Sequence, residues 1–141
     1  MPTRKASAKW EGGLKGGKGS FKGESGAVGA PYSFGTRFEN AAGTNPEELL
    51  AAAEAACYSM ALSADLEKAG TPAERVQTDA ACTLDFVDGK PTITTMRLKV
   101  RAKVPGVDLA TFDKAAQATK AGCPVSRALA GVDIQVDATL E

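Results

Sequence analysis

Asn45-Pro46-Glu47-Glu48-Leu49-Leu50-Ala51-Ala52-Ala53-Glu54-Ala55-Ala56-Cys57-Tyr58-Ser59-Met60 opens the longest uninterrupted segment of the chain. Asn45 is a good N-cap, and Pro46 suits the first helical position, where its missing N–H costs nothing. Glu47 and Glu48 put two carboxylates in the first turn, where they complement the helix dipole, and Glu48 stands where it can close a capping box. Nothing between Pro46 and Ala69 breaks a helix, and Gly70 supplies a C-terminal stop. The expectation is a helix of about two dozen residues, roughly 36 Å long. From Leu49 to Ala56 it is mostly alanine, with Leu49, Leu50 and Glu54 as the exceptions. Small side chains admit another backbone at close range, so the helix is expected to be buried on several sides, a second subunit being one way to cover it.

The flanking sequence supplies strands. Residues 1–44 are glycine-rich, and Ala6 to Trp10, Gly19 to Lys22 and Tyr32 to Phe38 read as three strands of an antiparallel meander. Downstream, residues 75–87 and 92–104 read as a hairpin turning at Asp88-Gly89-Lys90-Pro91. Met96, Leu98, Val100, Ala102 and Val104 share one face of its second strand, which is expected to be buried. Asp108 to Ala121 reads as an amphipathic helix with Leu109, Phe112, Ala116 and Thr119 inward, ended by Gly122. Cys123-Pro124-Val125-Ser126 begins a short helix with Cys123 at the N-cap and Pro124 next, ended by Gly131. Val132, Ile134, Val136, Ala138 and Leu140 alternate with polar residues as a last strand. The class is α+β, and residues 1–141 are expected to form a single domain.

Composition narrows the chemistry. With 43% hydrophobic and 24% charged residues the chain is expected to fold. Lys plus Arg and Asp plus Glu are both 17, and this zero net charge argues against phosphate neutralisation and polybasic membrane binding. Histidine is absent, so there is no Ser-His-Asp triad, no Cys-His pair and no imidazole ligand for zinc. The 3 cysteines form no CxxC motif. MPTRKASAKW is polar and basic, unlike a secretory signal, and no segment is expected to approach the ~18–20 apolar residues of a membrane span. The chain reads as cytoplasmic, where a pair of cysteines is more often catalytic than structural.

Local sequence leaves the reactive groups open. Cys123 is either a thiol made acidic by the amides and dipole of a helix start, or a small residue tolerated at a turn. Cys57 is mid-helix, where the dipole does nothing. It reads most plainly as a buried, apolar-like cysteine, and would need a positive group from elsewhere to react. Arg37 is either that group or a surface strand arginine. Glu47 either decorates the first helical turn or accepts an arginine fork. Glu47 and Cys57 are separated by about 15 Å of helix axis, a gap that a long arginine stem can lie across. Cys82, between Ala80-Ala81 and Leu84, has no activating group beside it in sequence and reads as structural.

Gly43-Thr44-Asn45-Pro46-Glu47-Glu48-Leu49-Leu50, then Ala55-Ala56-Cys57-Tyr58-Ser59-Met60-Ala61-Leu62, then Lys120-Ala121-Gly122-Cys123-Pro124-Val125-Ser126 resemble the OsmC/Ohr family of thiol peroxidases. Trp10-Glu11-Gly12, Lys18-Gly19 and Thr36-Arg37-Phe38-Glu39 resemble its OsmC branch, and the resemblance runs over essentially the whole chain. It implies antiparallel sheets around a long central helix, in an intertwined homodimer with two active sites at the subunit interface. It implies reduction of organic hydroperoxides in preference to hydrogen peroxide, lipoyl dithiols as electron donors, and no metal, haem or flavin. It places the peroxidatic cysteine on Cys57, the resolving cysteine on Cys123, and the polarising arginine and glutamate on Arg37 and Glu47. The helix-dipole argument alone favours Cys123 as nucleophile; the resemblance gives that role to Cys57. An apolar pocket lined by Phe38, Tyr58 and Met60 would favour alkyl peroxides. Two other classes remain: a thiol redox sensor, and a non-catalytic binding protein with an apolar interface pocket. Neither nucleic acid nor a membrane is an expected partner.

Overall fold

A computed structural model describes residues 1–141, which divide into two compact units, Met1–Leu49 and Leu50–Glu141. In the first unit β1 (Ala6–Glu11), β2 (Lys18–Gly23) and β3 (Gly29–Tyr32) form an antiparallel sheet in that order. Gly19 pairs with Trp10 on one side and Tyr32 on the other. A Cβ there would stand 2.6 Å from the Tyr32 ring and 2.7 Å from the Trp10 ring. Its absence lets the two rings close to 5.5 Å between centroids.

The segment expected to be a third strand from Tyr32 to Phe38 is split. The strand ends at Tyr32 and a short helix, α1 (Phe34–Phe38), follows. Ser33 starts it with a reciprocal capping box: the Thr36 N–H donates to Ser33 Oγ at 3.2 Å and the Ser33 N–H to Thr36 Oγ1 at 2.9 Å. Phe34 and Phe38, which suggested strand alternation, are four apart and stack along one helix face with centroids 5.0 Å apart. Two local hydrogen bonds and an aromatic pair therefore outweigh strand propensity. Arg37 is accordingly a helical residue.

Helix α2 (Pro46–Lys68) forms as expected, 23 residues long. Asn45 Oδ1 accepts from the Glu48 N–H at 2.9 Å, while its Nδ2 donates to the Thr36 carbonyl at 2.8 Å, so one side chain starts α2 and fastens α1. By length and composition α2 could cross a membrane, with a mean hydropathy of 1.2, which corrects the expectation that no segment approaches a span. Alanine supplies much of that apolarity. Tyr58, Leu62 and Leu66, spaced four apart, belong instead to the protein core.

The second unit joins most of α2 to β4 (Arg75–Val87), β5 (Lys90–Lys103), α3 (Leu109–Gly122), α4 (Pro124–Ala128) and β6 (Asp133–Leu140). β4 and β5 pair antiparallel through a tight turn in which Asp88 (φ 51°) and Gly89 (φ 73°) are both left-handed. β6 returns parallel to β5, a departure from the purely antiparallel expectation. The intervening helices α3 and α4 make the crossover that a parallel pair requires. Met96, Leu98, Val100 and Ala102 on β5, Ile134 on β6 and Phe112 on α3 are buried with the α2 stripe. Leu109, expected inward, is 60% exposed. It is the first residue of α3, where a side chain tilted toward the N-terminus overhangs the helix end.

Candidate active site

In the second unit α2 carries Cys57 and the start of α4 carries Cys123. Cys123 is buried, its backbone N–H bound to the Thr119 carbonyl at 2.8 Å as α3 ends, and Pro124 then starts α4. Its thiol donates to Cys57 Sγ at 2.9 Å. That is about 0.9 Å beyond a disulfide bond of ~2.05 Å, so the two sulfurs can bond with little backbone movement. Burial pushes the Cys57 thiol above its ordinary pKa, as do the hydrogen bond with Cys123 and the negative charges of Cys123 and Glu54. The backbone N–H of Val125, in the first turn of α4, pulls the other way. The helix-start amide thus acts on Cys57, across from α4 on α2, which local sequence did not reveal. Cys123 itself makes no side-chain cap on α4.

Beside the sulfurs lies a pair that the sequence reading did not single out. Glu54 is wholly buried, and its Oε1 accepts from Ser126 Oγ at 2.5 Å. Its Oε2 is buried with no hydrogen-bond partner. A signal existed: Glu54 heads the four-residue spacing of Tyr58, Leu62 and Leu66, and is a lone carboxylate on an apolar stripe.

The first unit brings Arg37 and Glu47 together. Arg37 donates to Glu47 Oε1 through Nε at 3.1 Å and Nη2 at 2.9 Å. Glu47 is the one buried residue between Met1 and Leu49, whereas the Arg37 side chain is 36% exposed. Glu47 therefore fixes one edge of the guanidinium and does not engage Nη1. A hollow of 220 Å³ in this unit is lined by Arg37 and by Trp10, Leu14, Tyr32, Phe34 and Phe38. A larger hollow, 710 Å³, lies open on the sheet of the same unit and has no cysteine in its lining.

The three residues expected to line one apolar pocket part company. Phe38 lines the hollow beside Arg37. Tyr58 is instead a core residue, fully buried with its hydroxyl donating to the Ala116 carbonyl at 2.8 Å. Met60 is 76% exposed. Two helical positions apart, Tyr58 and Met60 point to nearly opposite faces, so they cannot line one pocket from within a single helix. No group of three or more Cys, Asp or Glu side chains gathers as metal ligands would.

A family model described as OsmC-like protein matches residues 39–137. The chain belongs to that family. Over 127 residues, 89% of each chain, it is 51% identical to Peroxiredoxin OsmC of Escherichia coli. A solved organic hydroperoxide resistance protein OsmC from Legionella pneumophila superposes with a TM-score of 0.75, covering 99% of both chains at 21% identity. The organic hydroperoxide resistance protein OhrB of Bacillus subtilis superposes with a TM-score of 0.67, covering 96% of this chain and 98% of that one at 22% identity. At those identities the two structures establish the shared fold of this OsmC-like chain.

Proposed function

We propose that this OsmC-like chain reduces organic hydroperoxides through Cys57 and Cys123. The coarser reading, a peroxiredoxin-like, peroxide-reducing oxidoreductase, follows from its 51% identity to Peroxiredoxin OsmC. The observation that carries the finer one is the 2.9 Å approach of the two sulfurs.

In the first step the Cys57 thiolate attacks the terminal oxygen of ROOH. The O–O bond takes the sulfur's electron pair and breaks, leaving Cys57 as a sulfenic acid and releasing ROH once the alkoxide is protonated. Cys123 then attacks that sulfur. The S–S bond forms as the S–O bond breaks, and the hydroxide leaves as water with the Cys123 proton. An external dithiol, for which lipoyl groups in the cytoplasm are the proposed source, exchanges with the disulfide and restores both thiols. A thiol held above its ordinary pKa is a poor nucleophile at neutral pH, so a cation must favour the thiolate. Arg37 is the proposed cation, its planar group oriented by Glu47 and its charge also stabilising the departing oxygen. The apolar hollow beside Arg37 supports a preference for alkyl peroxides.

The functional form is proposed to be a homodimer. Ala52, Ala53, Ala56 and Met60 leave an exposed stripe of small and apolar side chains on α2, the kind of surface that another helix covers. Sedimentation at low micromolar concentration should give twice the 14.5 kDa chain mass; a folded monomer would contradict this. The function itself is tested by consumption of an alkyl hydroperoxide with dihydrolipoamide. Turnover should require Cys57, and turnover undiminished in Cys57→Ser would exclude the mechanism.

A further inference from the structure

We propose that Glu54 and Ser126 are a positioning pair for the cysteines: their hydrogen bond fastens the first turn of α4 to α2 and so holds Cys123 Sγ within reach of Cys57 Sγ. This rests on the reading of Cys57 and Cys123 as the redox pair.

Glu54 stands three residues before Cys57 on α2, and Ser126 stands three residues after Cys123 at the start of α4. Three residues is close to one helical turn, so each partner of the tie is a near neighbour of one sulfur. The Cys57–Cys123 contact and the Glu54–Ser126 bond are therefore two adjacent rungs between the same two helices. The rung beside the sulfurs is dry. Glu54 is 0% exposed and Ser126 4%.

The cost of this arrangement argues that it has a use. The rest of the stripe is Tyr58, Leu62 and Leu66, and an apolar residue at position 54 would continue it without desolvating a carboxyl group. Glu54 Oε2 has no partner, so Ser126 is the side-chain donor that compensates the burial of this group. Helix α4 needs such an anchor. It has five residues, too few to hold a helix by its own hydrogen bonds, and its N-cap side chain makes no capping bond to it. Leu129 packs its far end on the core. At the near end, where Cys123 must meet Cys57, the Ser126 hydroxyl adds a tie to α2 that does not pass through either sulfur.

The test poises the whole protein in glutathione redox buffers and reads the Cys57–Cys123 disulfide equilibrium, with no peroxide present. The decisive variant is Glu54→Met/Ser126→Ala. Replacing both partners by apolar groups leaves no orphaned carboxyl, so the fold should be kept, as a thermal melt will show. Its disulfide equilibrium constant should fall by more than about fivefold, because Cys123 has lost its registration against Cys57. Glu54→Gln retains an oxygen that can accept from Ser126 and should stay within about twofold of wild type, which separates position from charge. Thr119→Val removes a part-buried side-chain tie of α3 to Asp65 on α2 at 2.8 Å but keeps the backbone carbonyl that binds the Cys123 N–H, and should also leave the equilibrium within about twofold. A folded double variant whose equilibrium falls by less than about fivefold would overturn the proposal. So would an equal fall in Glu54→Gln or Thr119→Val, which would make the effect one of charge or of general loosening. Failure of the wild type to consume alkyl hydroperoxide would instead count against the peroxidase reading, and leaves this equilibrium to be judged on its own.

Discussion

Residues 1–49 and residues 50–141 hold their chemistry by different means. The first unit contains one buried residue, Glu47, and sets an ion pair between the short helix α1 and the first turn of α2 beside a half-exposed cluster of aromatic rings. The second unit closes a hydrophobic core around α2 and β5 and sets two thiols against each other at its edge. The contrast teaches a division of labour. A dry core suits a cysteine pair that must meet at bonding distance, because packing and a buried tie such as Glu54–Ser126 hold position without competition from water. Burial also raises the Cys57 thiol, and the proposed mechanism therefore calls on a cation, for which Arg37 is the proposed source.

The largest expected effect probes the packed side of that contrast. Phe112→Ala empties a fully buried site and should cost about 3–5 kcal/mol in chemical denaturation. A cost below ~1 kcal/mol would mean that the second unit is not the close-packed one. Arg37→Lys probes the charged side. It keeps the charge but loses the planar fork held at two nitrogens by Glu47, so kcat/KM for an alkyl hydroperoxide should fall by about 10–100-fold, roughly 1.4–2.7 kcal/mol. Arg37→Met should in addition shift alkylation of Cys57 to higher pH, since losing a cation disfavours the thiolate. An unmoved pH profile would separate Arg37 from the thiol.

Tyr58 sharpens the same comparison. Burial raises its phenol above the ordinary value of 10.0, so the folded state keeps the proton more tightly than the unfolded one. Its contribution is complete below about pH 10 and is lost as pH rises beyond that value toward the raised one. Tyr58→Phe should cost about 1–1.5 kcal/mol at neutral pH, from the lost bond to the Ala116 carbonyl, and should flatten part of the alkaline decline. An alkaline melt series identical to wild type would contradict the burial account. The smallest effect is expected at Cys82, half-buried on β4 and packed against the core. Cys82→Ala should lower stability by about 1 kcal/mol or less and leave peroxide turnover intact. Loss of the initial burst of peroxide reduction would assign it a role in the chemistry.

What the sequence disclosed follows from which interactions are local. Helix α2 was legible because Asn45, Pro46 and Gly70 act within a few residues of themselves, and Asn45 does cap it. The β5 face was legible from strict alternation. The segment after Tyr32 was misread because Phe34 and Phe38 satisfy both a strand period and a helical one, and only the Ser33–Thr36 capping box decides between them. The direction of β6 depends on α3 and α4 crossing between strands, an arrangement that alternation does not encode. Within the candidate site, Cys57, Cys123, Arg37 and Glu47 were nominated by motif. Glu54 and Ser126 were not, because their meaning arises from a contact between positions 72 apart.

The central claim is that Cys57 is the atom that peroxide oxidises and Cys123 the one that resolves it. Mass spectrometry of Cys57→Ser and Cys123→Ser after one equivalent of alkyl hydroperoxide tests it most directly. Cys123→Ser should consume about one equivalent and carry a sulfenic acid on Cys57 that a trapping reagent labels. Cys57→Ser should remain unmodified, because a neutral hydroxyl is a far weaker nucleophile than a thiolate. Oxidation of Cys123 in Cys57→Ser at the wild-type rate would contradict the account and make the thiol at the start of α4 the true nucleophile.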